Sequence, residues 1–334
     1  MFGGLRLALA ATVVAFHAGV TPGGLWIGVS AVIVFYMISG YVMTALLTTR
    51  FTGPGSLGLF YAERCVRIAP QYYFWLAIAF LCALVLGWTP LRPDQPSGWT
   101  VFAYVTLIPL ALQRYLADVN FAFIPQATSL AIEAVMYLLA PFVVRSRFWS
   151  AVVTLACLAV FAATAVGLLP ANIYTYYCAP APTIFFMLGS YVRHRDWTLL
   201  AAGALALLIF LLMGFPTKFS PEMALGVALG LPLIVLLEGR KGGVWDDRLG
   251  TASYGCFLGQ VVVFDALLRV GAEKGSLFYI VSSVLLSCLA GYASFWLVER
   301  PTIAFRRRLR SRRDRSQTGA APDSATALNV VEAR

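Results

Sequence analysis

Charge is what this chain has least of. Charged side chains make up 12% of its 334 residues and hydrophobic ones 60%, whereas a soluble domain carries about 25% charged and 45–50% apolar residues. With a mean hydropathy of +0.79, the apolar excess is far larger than one core can bury. That excludes a soluble enzyme, a disordered chain, a coiled coil and a nucleic-acid-binding module. The six cysteines (Cys65, Cys82, Cys157, Cys178, Cys256, Cys288) stand singly, without a CxxC or a histidine nearby. They support neither a metal site nor a disulfide framework. No internal repeat is visible, which argues against a transporter built from duplicated halves. Short alternating segments are also missing, so a β-barrel is excluded.

What is present is a series of long apolar runs, and the expected fold is all-α: a polytopic membrane helix bundle of about ten transmembrane helices. The runs fall near 5–20, 25–48, 70–88, 126–144, 149–168, 179–192, 198–215, 222–238, 250–270 and 276–298. Basic clusters at Arg50/Arg64/Arg67, Arg145/Arg147, Arg193/His194/Arg195, Arg240/Lys241 and Arg306–Arg315 follow the second, fourth, sixth, eighth and tenth runs. Lysine and arginine mark cytoplasmic loops, so both termini are expected in the cytoplasm. The segment 100–125 is apolar but interrupted by Pro109, Arg114, Asp118 and Pro125. Counting it as a span would put every later basic cluster outside, so it reads as an interfacial or re-entrant element. Residues 1–300 form the expected membrane domain, and 301–334 a basic cytoplasmic tail, disordered beyond Gln317, that anchors topology against anionic lipid. No cleavable signal peptide is expected, because the first run carries Arg6 and leads through Pro22–Gly24 into the second.

Few residues in such a chain carry chemistry. Of its two histidines, His194 sits among arginines and reads as a solvated surface residue, while His17 lies inside the first apolar run. Arg6 precedes it by eleven residues, about three helical turns, so both side chains emerge on nearly one face, about 16 Å apart along the axis. A neutral imidazole there can take a proton from a hydroxyl; alternatively, it caps a helix end and Arg6 is a plain anchor. Arg64 and Arg67, three apart on a helix, suit a bidentate phosphate clamp or simple positive-inside charge. Glu133 is a lone carboxylate that could orient a histidine, bind a sugar hydroxyl or pair with an arginine. Glu299, at the inner end of the last run, reads as structural.

Six short segments recur in a telling order: Arg6 and His17 with ten residues between them, Phe35–Tyr41 (FYMISGY), Glu63–Pro70 (ERCVRIAP), Ser129–Tyr137 (SLAIEAVMY), Phe185–Gly189 (FFMLG) and Phe295–Pro301 (FWLVERP). Together they resemble the membrane acyltransferase-3 family, bacterial O-acyltransferases that decorate polysaccharides, lipopolysaccharide, nodulation factors and some antibiotics. The resemblance implies an enzyme of the bacterial inner membrane that moves an acyl group, acetyl in first expectation, from acyl-CoA to a carbohydrate hydroxyl. It implies His17, Arg6 and Glu133 as catalytic residues, and Arg64, Arg67, Ser39 and Tyr41 as donor-binding residues. It also implies a single-domain enzyme that permanently binds no cofactor. Departures from the family pattern are Ile33 where aspartate is common, Thr128 where tryptophan is common and Gln260 where histidine is common. The rival expectation is a transporter or flippase of a lipid-linked saccharide.

Overall fold

The computed structural model describes residues 2–53, 55–87, 97–112, 123–213, 219–240 and 242–302. Arg114, Asp118, Lys241 and the basic tail after Thr302 lie outside the described residues. Among the described residues every regular element is helical. The helices are α1 (Gly3–His17), α2 (Ile27–Thr49), α3 (Ser56–Leu86), α4 (Gly98–Thr106), α5 (Ala127–Val143) and α6 (Arg147–Ala165). They continue as α7 (Thr183–His194), α8 (Trp197–Leu212), α9 (Ser220–Leu237), α10 (Val244–Arg269) and α11 (Leu277–Ser294), which ends in a π turn at Phe295–Glu299.

Among the described residues, six helical segments are long and apolar enough to cross a membrane: Ile27–Thr49, Ser56–Val85, Arg147–Ala165, Ser220–Leu237, Val244–Arg269 and Leu277–Thr302. Shorter apolar helices occupy Gly3–His17, Ala127–Val143 and Trp197–Leu212. Large side chains such as Leu84, Phe142, Leu155, Leu212 and Leu289 stand exposed on the outer surface, as a lipid-facing shell requires. Several helix starts are set locally. Ser97, Ser146, Asp196 and Ser276 each accept a hydrogen bond from the backbone N–H three residues on, which satisfies one of the free donors of the first turn.

The centre of the bundle is the pair α2 and α7, both buried along most of their length. They cross where Gly40 meets the Phe186 carbonyl and Gly189 meets the Met37 carbonyl. A Cβ at either glycine would overlap the opposing backbone. Beside the crossing, Thr44 Oγ1 donates to Ser190 Oγ at 2.7 Å. Small residues that let backbones touch, with a hydroxyl pair alongside, are the means by which helices associate in lipid. The segments FYMISGY and FFMLG, far apart in sequence, are therefore the two halves of one helix contact.

Polar contacts gather one set of helix ends. Arg145 binds the Phe51 carbonyl, His194 Nε2 donates to the Val144 carbonyl at 2.7 Å, Arg147 pairs with Asp196 at 2.7 Å and Arg195 with Glu238 at 3.6 Å. His194, expected to be merely solvated, is exposed yet tethered to the end of α5. At the opposite end, Glu222 Oε1 accepts from the Trp26 N–H at 3.0 Å.

Of the interrupted segment 100–125, residues 113–122 lie outside the described residues, and the part before them is a broken helix. It turns at Leu107, whose φ is +64°, and resumes as a short 3-10 turn over Ile108–Leu112. The carbonyls of Tyr104 and Val105, left free where α4 stops, accept the hydroxyls of Tyr72 and Tyr73 of α3 at 2.6 and 2.7 Å. Irregular backbone inside an apolar bundle is tolerated on that condition.

Substituting Gly189→Val should force the α2–α7 crossing apart and cost at least the 1–3 kcal/mol typical of overpacking, roughly. We expect loss of the monodisperse peak in fluorescence-detected size exclusion, while Gly98→Val, where no atom lies within 4 Å of an added Cβ, leaves it in place. A normal Gly189→Val peak would show that the crossing does not hold the bundle together.

Candidate functional site

Three chambers adjoin one another inside the bundle. A vestibule of about 520 Å³ lies at the end that carries the basic clusters, with Arg6, Tyr41, Arg67, Asp246 and Asp247 on its walls. A narrow chamber of about 90 Å³ follows, lined by Arg6, Ser39, Arg67, Glu133, Tyr137 and Tyr254 among others. Arg6 and Arg67 belong to both and so form the neck between them. A third chamber of about 410 Å³ holds His17 in a wall of aromatic rings: Phe16, Trp26, Tyr176, Tyr177 and Phe219. It shares Val32, Tyr36, Ser129 and Phe257 with the narrow chamber.

Helix α1 contributes to all three. Its start packs against α10, where Gly4 N donates to Asp246 Oδ1 at 2.9 Å. Arg6, one turn in, faces the neck; its Nε is buried without a hydrogen-bond partner, and the side chain makes no ion pair among the described residues. His17, the last residue of α1, is accessible to solvent and faces the third chamber. Its Nδ1 lies 2.8 Å from Gln260 Oε1.

The narrow chamber carries a polar patch in an otherwise apolar lining, because three helices meet there with hydroxyls and a carboxylate. Glu133 of α5 accepts from Ser39 of α2 and, one turn along its own helix, from Tyr137. Tyr137 also reaches Ser39 at 3.5 Å. Of the three roles open to Glu133, orienting a histidine and pairing with an arginine find no contact among the described residues. Arg67 pairs with Glu299 from the π turn that ends α11. Glu299 is fixed in turn by Gln71 Nε2 at 3.0 Å, and Ser294 reaches Gln71 Oε1 at 3.4 Å. This chain of contacts joins α3 to the end of α11.

Thus Arg6, Ser39, Arg67 and Glu133 come together, Tyr41 lies on the vestibule wall and His17 on the adjoining chamber. Arg64, expected beside Arg67 as a clamp, is not among the residues lining these three chambers. Sequence reasoning assigned no role to Tyr137, although its spacing of four from Glu133 was a readable signal. The Arg67–Glu299 pair and the aromatic wall join segments too distant in sequence to be paired by inspection. Among the described residues, no group of three or more histidine, cysteine, aspartate or glutamate side chains is placed to hold a metal ion. None of the six cysteines forms a disulfide, and Cys256 and Cys288 Sγ lie 3.7 Å apart.

The chain is similar to an uncharacterized protein of Aquifex aeolicus (strain VF5), 24% identical over 190 residues, which cover 53% of this chain and 86% of that protein. No protein-family model matches the chain. No solved structure matches it either.

Glu299 is buried while Arg67 is partly exposed on the vestibule wall, so removing the carboxylate leaves a partly solvated guanidinium without its partner. Glu299→Ala should therefore lower stability by about 1–3 kcal/mol, whereas replacing both Arg67 and Glu299 by methionine should recover most of that loss. Thermal unfolding of the purified variants in detergent measures both. Equal losses in the single and double variants would mean that the pair is not what the fold relies on here.

Proposed function

We propose that the protein is an integral membrane O-acyltransferase of the bacterial inner membrane, with about ten spans and both termini cytoplasmic. In this reading it moves an acyl group, acetyl in first expectation, from acyl-CoA to a hydroxyl of a carbohydrate. The observation that carries the reading is α1: one helix holds an arginine without an ion-pair partner at the neck and an accessible histidine in the adjoining chamber. An unpaired cation inside an apolar bundle is costly, and an anionic ligand offsets that cost. Resemblance in the six motif segments gives the chemistry, and the adjoining chambers give it room.

The donor enters at the vestibule, where the guanidiniums of Arg6 and Arg67 meet its phosphates and Tyr41 lines the approach. At about 90 Å³ the narrow chamber is far smaller than its two neighbours, so in this reading it takes only a stretch of an extended pantetheine arm threading between them. Ser39, Glu133 and Tyr137 offer that arm hydrogen-bonding partners. The thioester then reaches the third chamber, whose aromatic rings suit the apolar faces of a sugar. The acceptor hydroxyl attacks the thioester carbonyl while His17 takes its proton. The C–O bond forms, the C–S bond breaks, and the proton passes from His17 to the departing thiolate. With about 16 Å of helix between them, Arg6 serves the donor's phosphates and not the oxyanion beside His17.

Consumption of acetyl-CoA by the purified protein with a saccharide acceptor tests the reading. His17→Ala should lower kcat by about 10²–10⁴-fold. Arg6→Ala should raise the KM for acyl-CoA roughly ten- to hundredfold, the loss of one charge-assisted contact, with kcat largely spared. No turnover by the folded protein, together with movement of a lipid-linked saccharide across proteoliposomes, would replace the enzyme by a flippase. Mass spectrometry of surface glycans from deletion and wild-type strains would identify acyl group and acceptor together.

A further inference from the structure

We infer that Gln260 is a positioning residue that holds His17 as the Nδ1–H tautomer, leaving the Nε2 lone pair as the proton acceptor. The inference deepens the proposed acyl transfer and rests on it for its catalytic consequence, though not for the tautomer itself.

Gln260 lies on α10 and is fully buried. Its Nε2 donates to the carbonyl of Phe257, one turn back on the same helix, at 2.7 Å. Its Oε1 lies 2.8 Å from His17 Nδ1. The two contacts fix each other. Turning the amide over would set its oxygen against the Phe257 carbonyl, two acceptors with no proton between them, and would forfeit a buried hydrogen bond. The amide oxygen therefore faces His17. Since that oxygen only accepts, Nδ1 must carry the hydrogen. In a neutral ring the remaining lone pair is then on Nε2, which has no hydrogen-bond partner among the described residues.

The surroundings leave this arrangement to the amide alone. Phe16 packs on the ring at a centroid distance of 5.0 Å. Across the chamber stand Tyr36 of α2 and Tyr176 and Tyr177 of the turn before α7. The charged side chain whose field reaches the ring is Lys274, beyond the end of α10. Glu133, the nearest thing to a triad carboxylate in the sequence, is engaged with Ser39 and Tyr137 instead. A neutral amide orients the ring as a carboxylate would, but adds no negative charge to hold the proton. During transfer, Nε2 gains the proton of the attacking hydroxyl, Nδ1–H stays on Gln260 Oε1, and Nε2 returns its proton to the leaving thiolate.

The chain has only two histidines, so uniform ¹⁵N-histidine labelling gives two rings, and His194→Gln leaves His17 alone. In bilayers, solid-state ¹⁵N shifts of that variant at neutral to mildly alkaline pH should report protonated Nδ1 and unprotonated Nε2. Protonation on Nε2 there would overturn the inference without touching the acyltransferase reading. Gln260→Met, close in shape but without the acceptor, should shift the spectrum toward the Nε2–H form. It should also lower kcat at least about tenfold, part of the roughly 10²–10⁴-fold a positioned base supplies, with the KM for acyl-CoA unchanged. Gln260→Glu keeps an acceptor facing Nδ1 but loses the donor to Phe257, so Nδ1 should stay protonated, even where the carboxylate draws a second proton onto Nε2. Loss of Nδ1 protonation in Gln260→Glu to the same degree as in Gln260→Met would make the residue a packing element. An unchanged kcat in Gln260→Met with a shifted tautomer would leave Gln260 without a role in turnover and overturn the positioning assignment.

Discussion

Everything inside this bundle hangs on the approach of α2 to α7. Lipid offers helices no hydrophobic reason to associate, so close backbone packing and a few polar contacts must do it. Gly40 and Gly189 supply the first, and Thr44 with Ser190 the second. Once α2 is pinned along α7, an adjoining face is free to meet α1 and α5, and that face carries Tyr36 and Ser39. The narrow chamber is the space left between α2 and those neighbours. A side chain at the crossing would displace its walls even though neither glycine lines it.

Most polar groups around the narrow chamber are matched. Glu133 is shared by two hydroxyls, Arg67 is matched by Glu299, Gln71 bridges to Ser294, and the free carbonyls of α4 take tyrosine hydroxyls. Each arrangement offsets the cost of burying a polar atom. Arg6 is the cation at this site whose buried Nε has no hydrogen-bond partner; elsewhere Trp75 Nε1, Gln126 Oε1 and the hydroxyls of Ser283 and Ser287 share that state. Its place at the neck, away from the surface, is unlike that of an anchoring arginine, which belongs in water or among headgroups.

Much of the fold was legible because apolar length and basic clusters are additive signals. The expected runs 25–48 and 126–144 correspond to Ile27–Thr49 and Ala127–Val143 within two residues. The run expected at 70–88 starts too late. Glu63, Arg64 and Arg67 break the apolar pattern there, whereas α3 begins at Ser56 and carries those charges in its first turns, where Glu63 pairs with Arg50 and Arg67 with Glu299. Run 179–192 survives as a helix of only 12 residues, short because it is buried in protein along its length and need not match the bilayer by itself. At the site, the α1 spacing was readable because it is local. The pairing of Arg67 with Glu299 and of His17 with Gln260 was not, since each joins residues more than two hundred positions apart.

Gln260 looked like a loss in the sequence, because histidine is common there in the family the chain resembles. Its contact with His17 gives the position a different meaning. A chain with one histidine inside its bundle has one ring to serve as both base and acid in the proposed transfer. The ring must accept a proton from the hydroxyl and release it to the thiolate within the same turnover. A carboxylate partner would favour the charged ring and oppose that release, and a second imidazole could itself titrate. An amide does neither. It fixes which nitrogen faces the chamber and keeps the same charge before and after the proton moves, so the ring's two states stay close enough in energy for the proton to pass on.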